Sequence, residues 1–542
     1  MDKVLGVALV LGLIFGLNGI QWGWVECWNP DQMAFRDLFQ AGKPAFEPPD
    51  FQKPPFHTYF NFFLSSLPFQ ILESLSQSIL HLSLNFKSVK LFWSRLLTVF
   101  LFLGSIALVF YITKKFFGLF AARIVTIIFA TSAGFIVDSH YLTADIPVLF
   151  WMLVAFYFSQ NICLNGQSSD YALAGFFTGI ATATKYNGLA VGIAIVAAHI
   201  LGRTISWTLL SKQLFLGLAM VVVGFLVGNP FAVLDYSTFI ADFRYNYLVT
   251  PVYDGNITTE HSYWKFFSLF TEIIGFPGLI LFTIAFLFSF YFLFSAQGNG
   301  KEKKGVLLLL SVFLLYSYKF GSFPRLEVRF VMPIVPFWLM ISGPFFLKIH
   351  AKRNLILALL LILVTYNSLC SLYVGKRFAE DPRMSAQEWV KKNILAGNSI
   401  EDTNYTPNWN VIPGVNLTDR KILVVGGRRK IFEQIFKNDP WMMAQVRQRN
   451  QEQEGWQQLY SLEQLIKRQP DYVALDSLYY DRFFVLEKFA LLYPSVQQFF
   501  RDLLAQRYPY KTVFDQVSQT PPPWLYPRKI LFVDNRITLL KR

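Results

Sequence analysis

Two apolar stretches separated by a short basic segment set the class of this fold. Residues 91–113 read LFWSRLLTVFLFLGSIALVFYIT, and residues 119–137 read LFAARIVTIIFATSAGFIV. Each stretch is close to the length of about 20 apolar residues that a helix needs to cross a bilayer. Lys114 and Lys115 stand between them. The sequence therefore predicts two consecutive membrane spans joined by a basic loop.

Similar apolar stretches recur along residues 1–375. We predict further spans at 4–22, 146–162, 171–184, 187–201, 212–229, 272–295, 305–320, 330–347 and 355–373. Residues 55–88 are apolar but interrupted, and they fit a hairpin, a re-entrant pair or two short spans. The expected fold is a polytopic α-helical membrane protein with about 11–13 transmembrane helices. Because no small-residue cleavage pattern precedes Trp22 and Trp24, an uncleaved first span is preferred to a signal peptide.

The composition supports this class. Of 542 residues, 54% are hydrophobic and 15% are charged, whereas soluble domains carry about 25% charged residues. The net charge of +14 comes from short clusters between apolar segments, so no nucleic-acid partner is expected. Cys27, Cys163 and Cys370 lie far apart and form no CxxC pair. Neither a disulfide framework nor a zinc site is therefore predicted.

Basic loops predict how the helices are oriented. Four connections carry lysine and arginine: Lys114, Lys115 and Arg123; Arg203 and Lys212; Lys301, Lys303 and Lys304; and Lys348, Lys352 and Arg353. Because short positive loops stay on the cytoplasmic side, the alternate connections are expected on the outer side. These connections are 23–54, 138–145, 185–188, 230–265, 319–329 and everything after residue 373.

The character of the chain changes after Tyr373. Amphipathic and β-like runs alternate there, at 386–394, 421–425, 462–468, 472–475, 512–514 and 530–533. Such alternation predicts a small α/β domain. We therefore expect a membrane domain at 1–375 and an outer, soluble α/β domain at 376–542. Within the first, the loop 23–54 is expected to hold interfacial helices, and the loop 230–265 is long enough to form a lid.

Polar motifs interrupt the apolar chain on the predicted outer side. In chain order they are Trp28-Asn29-Pro30-Asp31-Gln32, Gln52-Lys53-Pro54-Pro55-Phe56-His57, Asp138-Ser139-His140-Tyr141-Leu142-Thr143-Ala144-Asp145, Thr184-Lys185-Tyr186-Asn187-Gly188, His261-Ser262-Tyr263-Trp264, and Arg325 followed by Arg329-Phe330-Val331-Met332-Pro333. Ionisable residues at membrane depth are energetically unfavourable, so they are candidates for a functional site.

The order of these motifs resembles that of the GT-C glycosyltransferases. An acidic motif in the first loop, Lys-Pro-Pro at 53–55 and Thr-Ala-Asp at 143–145 are most similar to the protein O-mannosyltransferase and lipid A aminoarabinose transferase superfamily. The resemblance covers residues 1–375. It implies a polyprenyl- or dolichyl-phosphate sugar donor, a carboxylate that acts as general base on an acceptor hydroxyl, and inversion at the anomeric carbon.

The resemblance implies roles for Asp31 and Asp145 by match to the family motifs, and the other candidates are assigned roles that suit a phosphate-linked donor. Asp31 is the expected base, although Gln32 follows it where the family commonly has a second carboxylate, which weakens a metal role there. Asp145 matches the aspartate of the second loop. The donor phosphate is expected to meet Lys53, Lys185, Arg329, Arg325 and His261. Accessory roles are assigned to Arg36, Asp138 and His140. No cofactor is expected to be required, and dependence on a divalent metal is left undecided.

Each candidate also has a purely structural interpretation. Asp31 and Asp145 are suited to cap helices that begin at the next residue. Lys53 fits an interfacial lysine that reaches for the headgroups, Arg329 fits an anchor at a span end, and His261 is a lone histidine in a loop.

Three functions are compatible with the whole chain. The first is glycosyl transfer to a glycan, lipid or protein acceptor in contact with membrane lipid, most simply on the periplasmic side of a bacterial inner membrane. The second is secondary transport, which predicts internal repeats and charges near the membrane midplane. The third is a non-catalytic scaffold that binds partners through residues 376–542. The one-sided distribution of carboxylates and cations favours the first.

Overall fold

The computed structural model describes residues 2–23, 26, 28–31, 38–80, 86–202, 211–252, 263–295, 300–348, 353–411, 417–423, 428–449, 456–519, 522, 524–526 and 529–542. In the described chain the elements up to Asn393 are all helices, and a five-stranded sheet with its own helices follows. The predicted class, a polytopic α-helical membrane protein with a C-terminal α/β region, is confirmed.

Six helical segments of the described chain are long and apolar enough to cross a membrane. They are Lys87–Thr131, Asp145–Asn165, Phe270–Phe294, Gly300–Gly321, Val328–Lys348 and Leu357–Asn393. Three shorter apolar helices cover Lys3–Leu17, Tyr186–Gly202 and Lys212–Gly228. The total of 11–13 spans stays a prediction.

The helices of the membrane half follow one another in a bundle. Their bounds are α1 (Lys3–Leu17), α2 (Phe56–Asn61), α3 (Leu67–Leu80), α4 (Lys87–Thr131), α5 (Ala133–Ser139), α6 (Asp145–Asn165), α7 (Ser168–Thr184), α8 (Ile193–Gly202), α9 (Lys212–Gly228), α10 (Phe231–Leu234), α11 (Tyr236–Val249), α12 (Tyr263–Ser268), α13 (Phe270–Phe294), α14 (Gly300–Gly321), α15 (Val328–Val331), α16 (Val335–Ile341), α17 (Gly343–Lys348), α18 (Arg353–Ala379) and α19 (Pro382–Asn393).

The stretch that decides the fold is a single kinked helix. α4 has 45 residues, which is about 68 Å of helix and more than twice the thickness of a bilayer core. Gly118 divides it, with φ +78°, a backbone conformation that L side chains rarely adopt. The predicted spans 91–113 and 119–137 are therefore its two halves. The second prediction runs too far, because Ser132 leaves the helical conformation.

The ambiguous stretch 55–88 begins as one continuous helix. α2 leads through a π-helical turn at Phe62–Ser66 into α3. This helix packs beside the start of α4, where the Lys90 ammonium lies 2.7 Å from the Glu73 carboxylate and the Ser94 hydroxyl donates to Ser65 Oγ at 2.8 Å. Of the interpretations left open, the hairpin fits this arrangement. Residues 81–85 lie outside the described chain.

Two of the predicted basic loops meet at the same end of the bundle. Lys115 donates to Asn161, whose amide donates to Asp170 at 3.1 Å. Lys301, from a different loop, lies within electrostatic range of Lys115. This grouping agrees with the predicted alternation of the loops, while the sidedness itself stays a prediction.

The C-terminal region is a mixed sheet of order β2-β1-β3-β5-β4. The strands are β1 (Ser399–Thr403), β2 (Thr418–Leu423), β3 (Tyr472–Asp476), β4 (Lys511–Val517) and β5 (Arg536–Lys541), and the helices are α20 (Arg428–Ile435), α21 (Pro440–Arg449), α22 (Leu462–Arg468), α23 (Ser477–Tyr480), α24 (Arg482–Val485), α25 (Glu487–Leu492) and α26 (Pro494–Leu504). β1, β2 and β3 are parallel, and β5 runs antiparallel to both β3 and β4.

One predicted strand is wrong. Residues 530–533 form a turn, in which the Val533 N–H donates to the Ile530 carbonyl at 3.1 Å. Both side chains are buried in the core of the helical bundle rather than in the sheet, which explains why this segment is apolar. The sequence prediction also missed β1, whose residues SIEDT carry few apolar side chains.

The two regions share their cores. Tyr245 and Val249 of α11 are buried among the side chains of the α/β region. The carboxylate of Asp242, also on α11, accepts hydrogen bonds from Phe51 N–H at 2.6 Å and pairs with Arg449 at 2.5 Å. Within the predicted lid 230–265, α11 thus lies between the first loop and the α/β region. The domain boundary at 375/376 stays a prediction.

Glycines allow α7 and α9 to pack in close contact. A Cβ at Gly179 would overlap the backbone of Val221 and Phe225, and a Cβ at Gly224 would overlap the backbone of Phe176. Small residues that let helix backbones approach are a common device of membrane proteins. This contact fixes the end of α7, next to Lys185.

We expect Gly179→Ala to destabilise the protein, because the added methyl group meets backbone atoms that cannot rotate away. Overpacking of this kind costs about 1–3 kcal/mol, and it is measured as a lower midpoint of thermal unfolding in detergent. Gly300→Ala is the control, since no described residue lies within 4 Å of a Cβ there. Equal midpoints for both variants would contradict the close contact.

Asp476 gives the α/β region a pH-dependent stability. It is fully buried at the end of β3 and accepts hydrogen bonds from Leu478 N–H and Asn535 Nδ2, both at 2.8 Å. Burial raises its pKa to about 7, against the opposing effects of Arg383 and these hydrogen bonds. An unfolded aspartate has a pKa of about 3.9. Between about pH 4 and pH 7 Asp476 is therefore protonated in the folded state and ionised in the unfolded state. The free energy of unfolding falls as pH rises through this range.

We expect Asp476→Asn to become progressively more stable than the wild type between pH 5 and about pH 7, because the amide does not ionise. Asn535 Oδ1 has no partner in the described structure, so its amide can turn to accept from the new side chain. Thermal midpoints at several pH values measure the difference. Asp515→Asn is the control, since the Arg536 hydrogen bond lowers the pKa of that carboxyl. A difference that does not change with pH would contradict the raised pKa.

Candidate functional site

The centre of the candidate site is the carboxylate of Asp31. Its Oδ2 lies 2.6 Å from Arg329 Nη1, and its Oδ1 lies 3.0 Å from Lys53 Nζ. The side chain remains 31% exposed. Burial opposes ionisation, but the charges of Arg329 and Lys53 and their hydrogen bonds outweigh it and lower the pKa of Asp31. Asp31 is therefore an anion at neutral pH that is still open to a ligand.

The backbone before Asp31 is fixed by a turn. Asn29 is buried, and its side-chain Oδ1 accepts the Asp31 N–H at 2.9 Å. Pro30 lies between them and restricts the backbone further. The described residues 28–31 and 38–54 form turns and bends rather than the interfacial helices expected there. Residues 32–37 lie outside the described chain, so the predicted capping of a helix at Gln32 falls there.

Arg329 belongs to a second chain of charges. Its Nε lies 2.5 Å from Glu327 Oε2, and Arg325 pairs with the other oxygen of the same carboxylate. Glu327 thus holds both predicted arginines, but the sequence interpretation did not include it. The alternation Arg325-Leu-Glu327-Val-Arg329 was a usable signal, because residues two apart share a side in an extended segment.

Asp145 and Lys185 form the second ion pair of the site. Lys185 Nζ lies 2.5 Å from Asp145 Oδ1, and the Asp145 side chain is only 4% exposed. Lys185 follows the last residue of α7 in an extended conformation, which turns its side chain away from the helix. Asp145 is the first residue of α6 rather than its N-cap, which is Ala144. The capping interpretation of Asp145 therefore does not describe its main contact.

Phe330 connects the two ion pairs. Its ring lies 5.6 Å from the Arg329 guanidinium, 5.8 Å from the Lys185 ammonium and 5.8 Å from the Arg325 guanidinium. The face of an aromatic ring attracts cations by its quadrupole. Four of the five predicted phosphate ligands thus gather around one ring and two aspartates.

The accessory candidates are divided. Asp138 is buried, and it lies within electrostatic range of Asp145, Lys185 and Arg329, although it forms no salt bridge with a described residue. His140 is turned elsewhere. Its ring nitrogens meet the carbonyls of Ile136 at 2.7 Å and Asn18 at 2.8 Å, so it joins α5 to the end of α1.

The remaining candidates lie in other parts of the chain. Arg36 and His261 lie outside the described residues. His57, which the sequence interpretation left without a role, is buried and within electrostatic range of Asp145. In the described chain, no group of three or more His, Cys, Asp or Glu residues is placed to hold a metal ion.

Comparison with known proteins identifies the fold. The family model described as dolichyl-phosphate-mannose-protein mannosyltransferase matches residues 76–229. The crystal structure of ArnT from Cupriavidus metallidurans bound to undecaprenyl phosphate has a TM-score of 0.51 and 13% identity, covering 99% of this chain and 97% of that one.

Weaker matches include the same ArnT in the apo state, with a TM-score of 0.48, 13% identity and coverage of 99% and 97%. An oligosaccharyltransferase from Archaeoglobus fulgidus, tethered to an acceptor peptide, has a TM-score of 0.46 and 11% identity, covering 96% of this chain and 73% of that one. No curated protein matches. The predicted resemblance to GT-C glycosyltransferases of the protein mannosyltransferase and ArnT type is confirmed, and the chain is an integral, multi-pass membrane protein.

We expect the Asp145–Lys185 pair to show strong coupling in a double-mutant cycle. Asp145→Asn or Lys185→Met alone leaves a buried charge without its partner, which costs about 3–5 kcal/mol. The double variant removes both charges and recovers most of this loss. Thermal midpoints of the three variants in detergent measure the coupling.

The matched control is the exposed pair of Arg507 and Asp502, whose arginine side chain is 64% exposed. Its coupling is expected to be below about 1 kcal/mol. Additive effects at Asp145 and Lys185 would contradict a direct pair.

Proposed function

We propose that this protein is a glycosyltransferase that moves a sugar from a polyprenyl-phosphate carrier to an acceptor hydroxyl, with inversion at the anomeric carbon. The fold supports a GT-C enzyme. The matching family model names a dolichyl-phosphate sugar, and the ArnT structure holds undecaprenyl phosphate. Both are polyprenyl phosphates, so the carrier class is better supported than any particular sugar or acceptor.

The observation that carries the proposal is the partly exposed Asp31 carboxylate between Lys53 and Arg329. A general base must be ionised and within hydrogen-bond reach of the hydroxyl that it deprotonates. Asp31 is ionised at neutral pH because of its two cations. The same cations are suited to the phosphate of the donor, since Arg and Lys both bind phosphate oxygens.

We infer that donor binding changes the partners of these cations. When Lys53 and Arg329 turn to the phosphate, Asp31 loses part of the positive charge that lowers its pKa. Its carboxylate then becomes a stronger base at the moment when the donor is in place. Arg325 and Lys185, which share the Phe330 ring with Arg329, are suited to hold the remaining phosphate oxygens.

The chemical step is a single displacement. The acceptor oxygen forms a bond to the anomeric carbon while its proton passes to Asp31. The bond from that carbon to the phosphate oxygen breaks, and its electron pair leaves with the polyprenyl phosphate. Negative charge grows on the phosphate in this step, and preorganised cations stabilise such charge. Asp145 supports the site by holding Lys185 in place.

The basic loops support a sidedness for the site. Lys115 and Lys301 lie close together, and Lys115 bonds Asn161 near the end of α6, whereas Asp145 begins that helix. We therefore propose that the site and residues 376–542 lie on the outer side, which is the periplasm if the membrane is a bacterial inner membrane.

Asp31→Asn is expected to lower the transfer rate by about 100- to 10,000-fold, because it removes the general base. The purified protein is incubated with labelled polyprenyl-phosphate mannose, aminoarabinose or galacturonic acid and a membrane extract that supplies acceptors. Loss of label from the lipid measures transfer, and retention of labelled donor on the immobilised protein measures binding, which should persist.

Asp50→Asn is the matched control, because this carboxylate lies in the same loop and accepts the Gln52 N–H. Its transfer rate should stay near that of the wild type. Full activity in Asp31→Asn would refute the base. Movement of intact donor across proteoliposomes without release of label would favour a transporter instead, and partner binding without either would favour a scaffold.

A further inference from the structure

Arg383 is a fully buried cation at the start of the α/β region. Its side-chain Nε and Nη2 donate to the two oxygens of Asp381 at 2.9 and 2.6 Å, and Nη2 also donates to the Phe532 carbonyl. Both side chains have 0% exposure. A buried charge needs such pairing, since an unpaired one is strongly unfavourable. Arg383 and Asp381 therefore form a rigid unit.

The Arg383–Asp381 unit packs against the start of the first loop of the membrane half. The Arg383 guanidinium lies 4.4 Å from the centre of the Trp28 ring and 5.5 Å from that of Trp22. Trp22 Nε1 donates to Asp381 Oδ2 at 2.7 Å. Trp22 and Trp28 meet edge to face, with ring centres 5.8 Å apart. Both indoles are buried, so the contact is fully desolvated, which strengthens cation–π attraction.

Glu26 makes a second attachment between the same partners. Its carboxylate accepts the Asn408 N–H at 2.9 and 3.0 Å, and it accepts the Gln387 side-chain amide at 3.3 Å. It also accepts Trp28 Nε1 at 2.9 Å. The α/β region thus contacts Glu26 of the first loop through the Gln387 side chain and through the Asn408 backbone.

The segment that Arg383 contacts, at Trp28, is followed within three residues by the candidate base Asp31. Asn29 follows Trp28, is buried, and accepts the Asp31 N–H. The backbone between Trp28 and Asp31 has little conformational freedom, because the Asn29 side chain bonds the Asp31 N–H and Pro30 has a fixed φ. A shift of Trp28 is therefore passed to Asp31, whose side chain is otherwise held only by Lys53 and Arg329 among the described residues.

We propose that Arg383 is a positioning residue, through which the α/β region holds Asp31 in its reactive place. The inference rests on the proposed function, in which Asp31 is the base. It gives the α/β region a catalytic purpose other than binding a partner. A displacement of about 1 Å at a reacting group can cost about 100-fold in rate, so a distant guanidinium is able to control transfer without contact with either substrate.

The test uses the full chain with Arg383→Lys, Arg383→Met and Glu26→Gln. Lysine keeps the charge but neither the fork nor the ring stacking of arginine. Arg383→Met leaves Asp381 without its cation and is open to misfolding, so Glu26→Gln, which keeps the size of the side chain, serves as the second variant. Arg377→Met is the matched control, since Arg377 is also buried and its described hydrogen bonds go to Asp534 at 2.9 Å and to the Tyr526 carbonyl at 3.4 Å, both within the α/β region.

Two readouts separate positioning from general stability. The first is kcat and KM for the labelled donor across pH. We expect kcat to fall about 10- to 100-fold in the Arg383 and Glu26 variants, with donor KM within about twofold. If the ion pairs of Asp31 loosen, Lys53 and Arg329 lower its pKa less. The fall of the transfer rate at acid pH should then begin at a higher pH. Arg383→Lys should retain more activity than Arg383→Met.

The second readout is hydrogen exchange of residues 28–31, which does not depend on catalysis. Exchange should accelerate in the Arg383 and Glu26 variants and stay unchanged in Arg377→Met. Unchanged exchange, or faster exchange with unchanged kcat, would overturn the positioning role. If the wild type transfers no sugar, the proposed function fails, and so does the catalytic role of Arg383. Hydrogen exchange then still shows whether Arg383 holds the first loop in place.

Discussion

The bond between Asp31 and Arg329 joins residues 298 positions apart, and the site depends on it. One partner lies in the first loop, and the other begins the segment Val328–Lys348 near the end of the bundle. The bond forms only if every intervening helix returns the chain to the same end. The pair of Lys185 and Asp145 repeats this condition, since Lys185 follows the end of α7 and Asp145 begins α6. These charges therefore favour the correct helix arrangement, because a bundle with another arrangement leaves buried charges unpaired, which strongly destabilises it.

The membrane half could be predicted from sequence because its signal is local. Hydropathy over about 20 residues places a span regardless of its neighbours, and the kink at Gly118 falls in the predicted basic loop. Single site residues were also accessible, since a charge such as Lys185 between apolar runs is conspicuous. Their distant partners were not accessible. Nothing local in the chain indicates that Arg329, besides its neighbour Glu327, also pairs with Asp31, because that pairing is a property of the assembled bundle.

The contacts that the sequence did not indicate have a common physical cause. His140 stands in a polar motif, yet its ring serves two backbone carbonyls. Residues 530–533 look like a strand because they are apolar, yet they cover the bundle. In both cases the residue type reports that a side chain is buried or bonded, and only the tertiary structure decides by whom. The shared core around Tyr245 has the same origin, since an amphipathic helix does not specify which region receives its apolar face.

The position of β5 has a consequence for the time course of synthesis. It is last of the strands in sequence but lies between β3 and β4, and the neighbouring segment supplies the Phe532 carbonyl to Arg383 and the Asp534 carboxylate to Arg377. Ribosomes add about 5–20 residues per second, so the first loop emerges roughly 25–100 s before these groups exist. During that interval Arg383, which contacts the first loop, lacks its bond to the Phe532 carbonyl. The nascent protein thus passes through an interval in which its membrane helices are already synthesised but its first loop is not yet held by the complete α/β region.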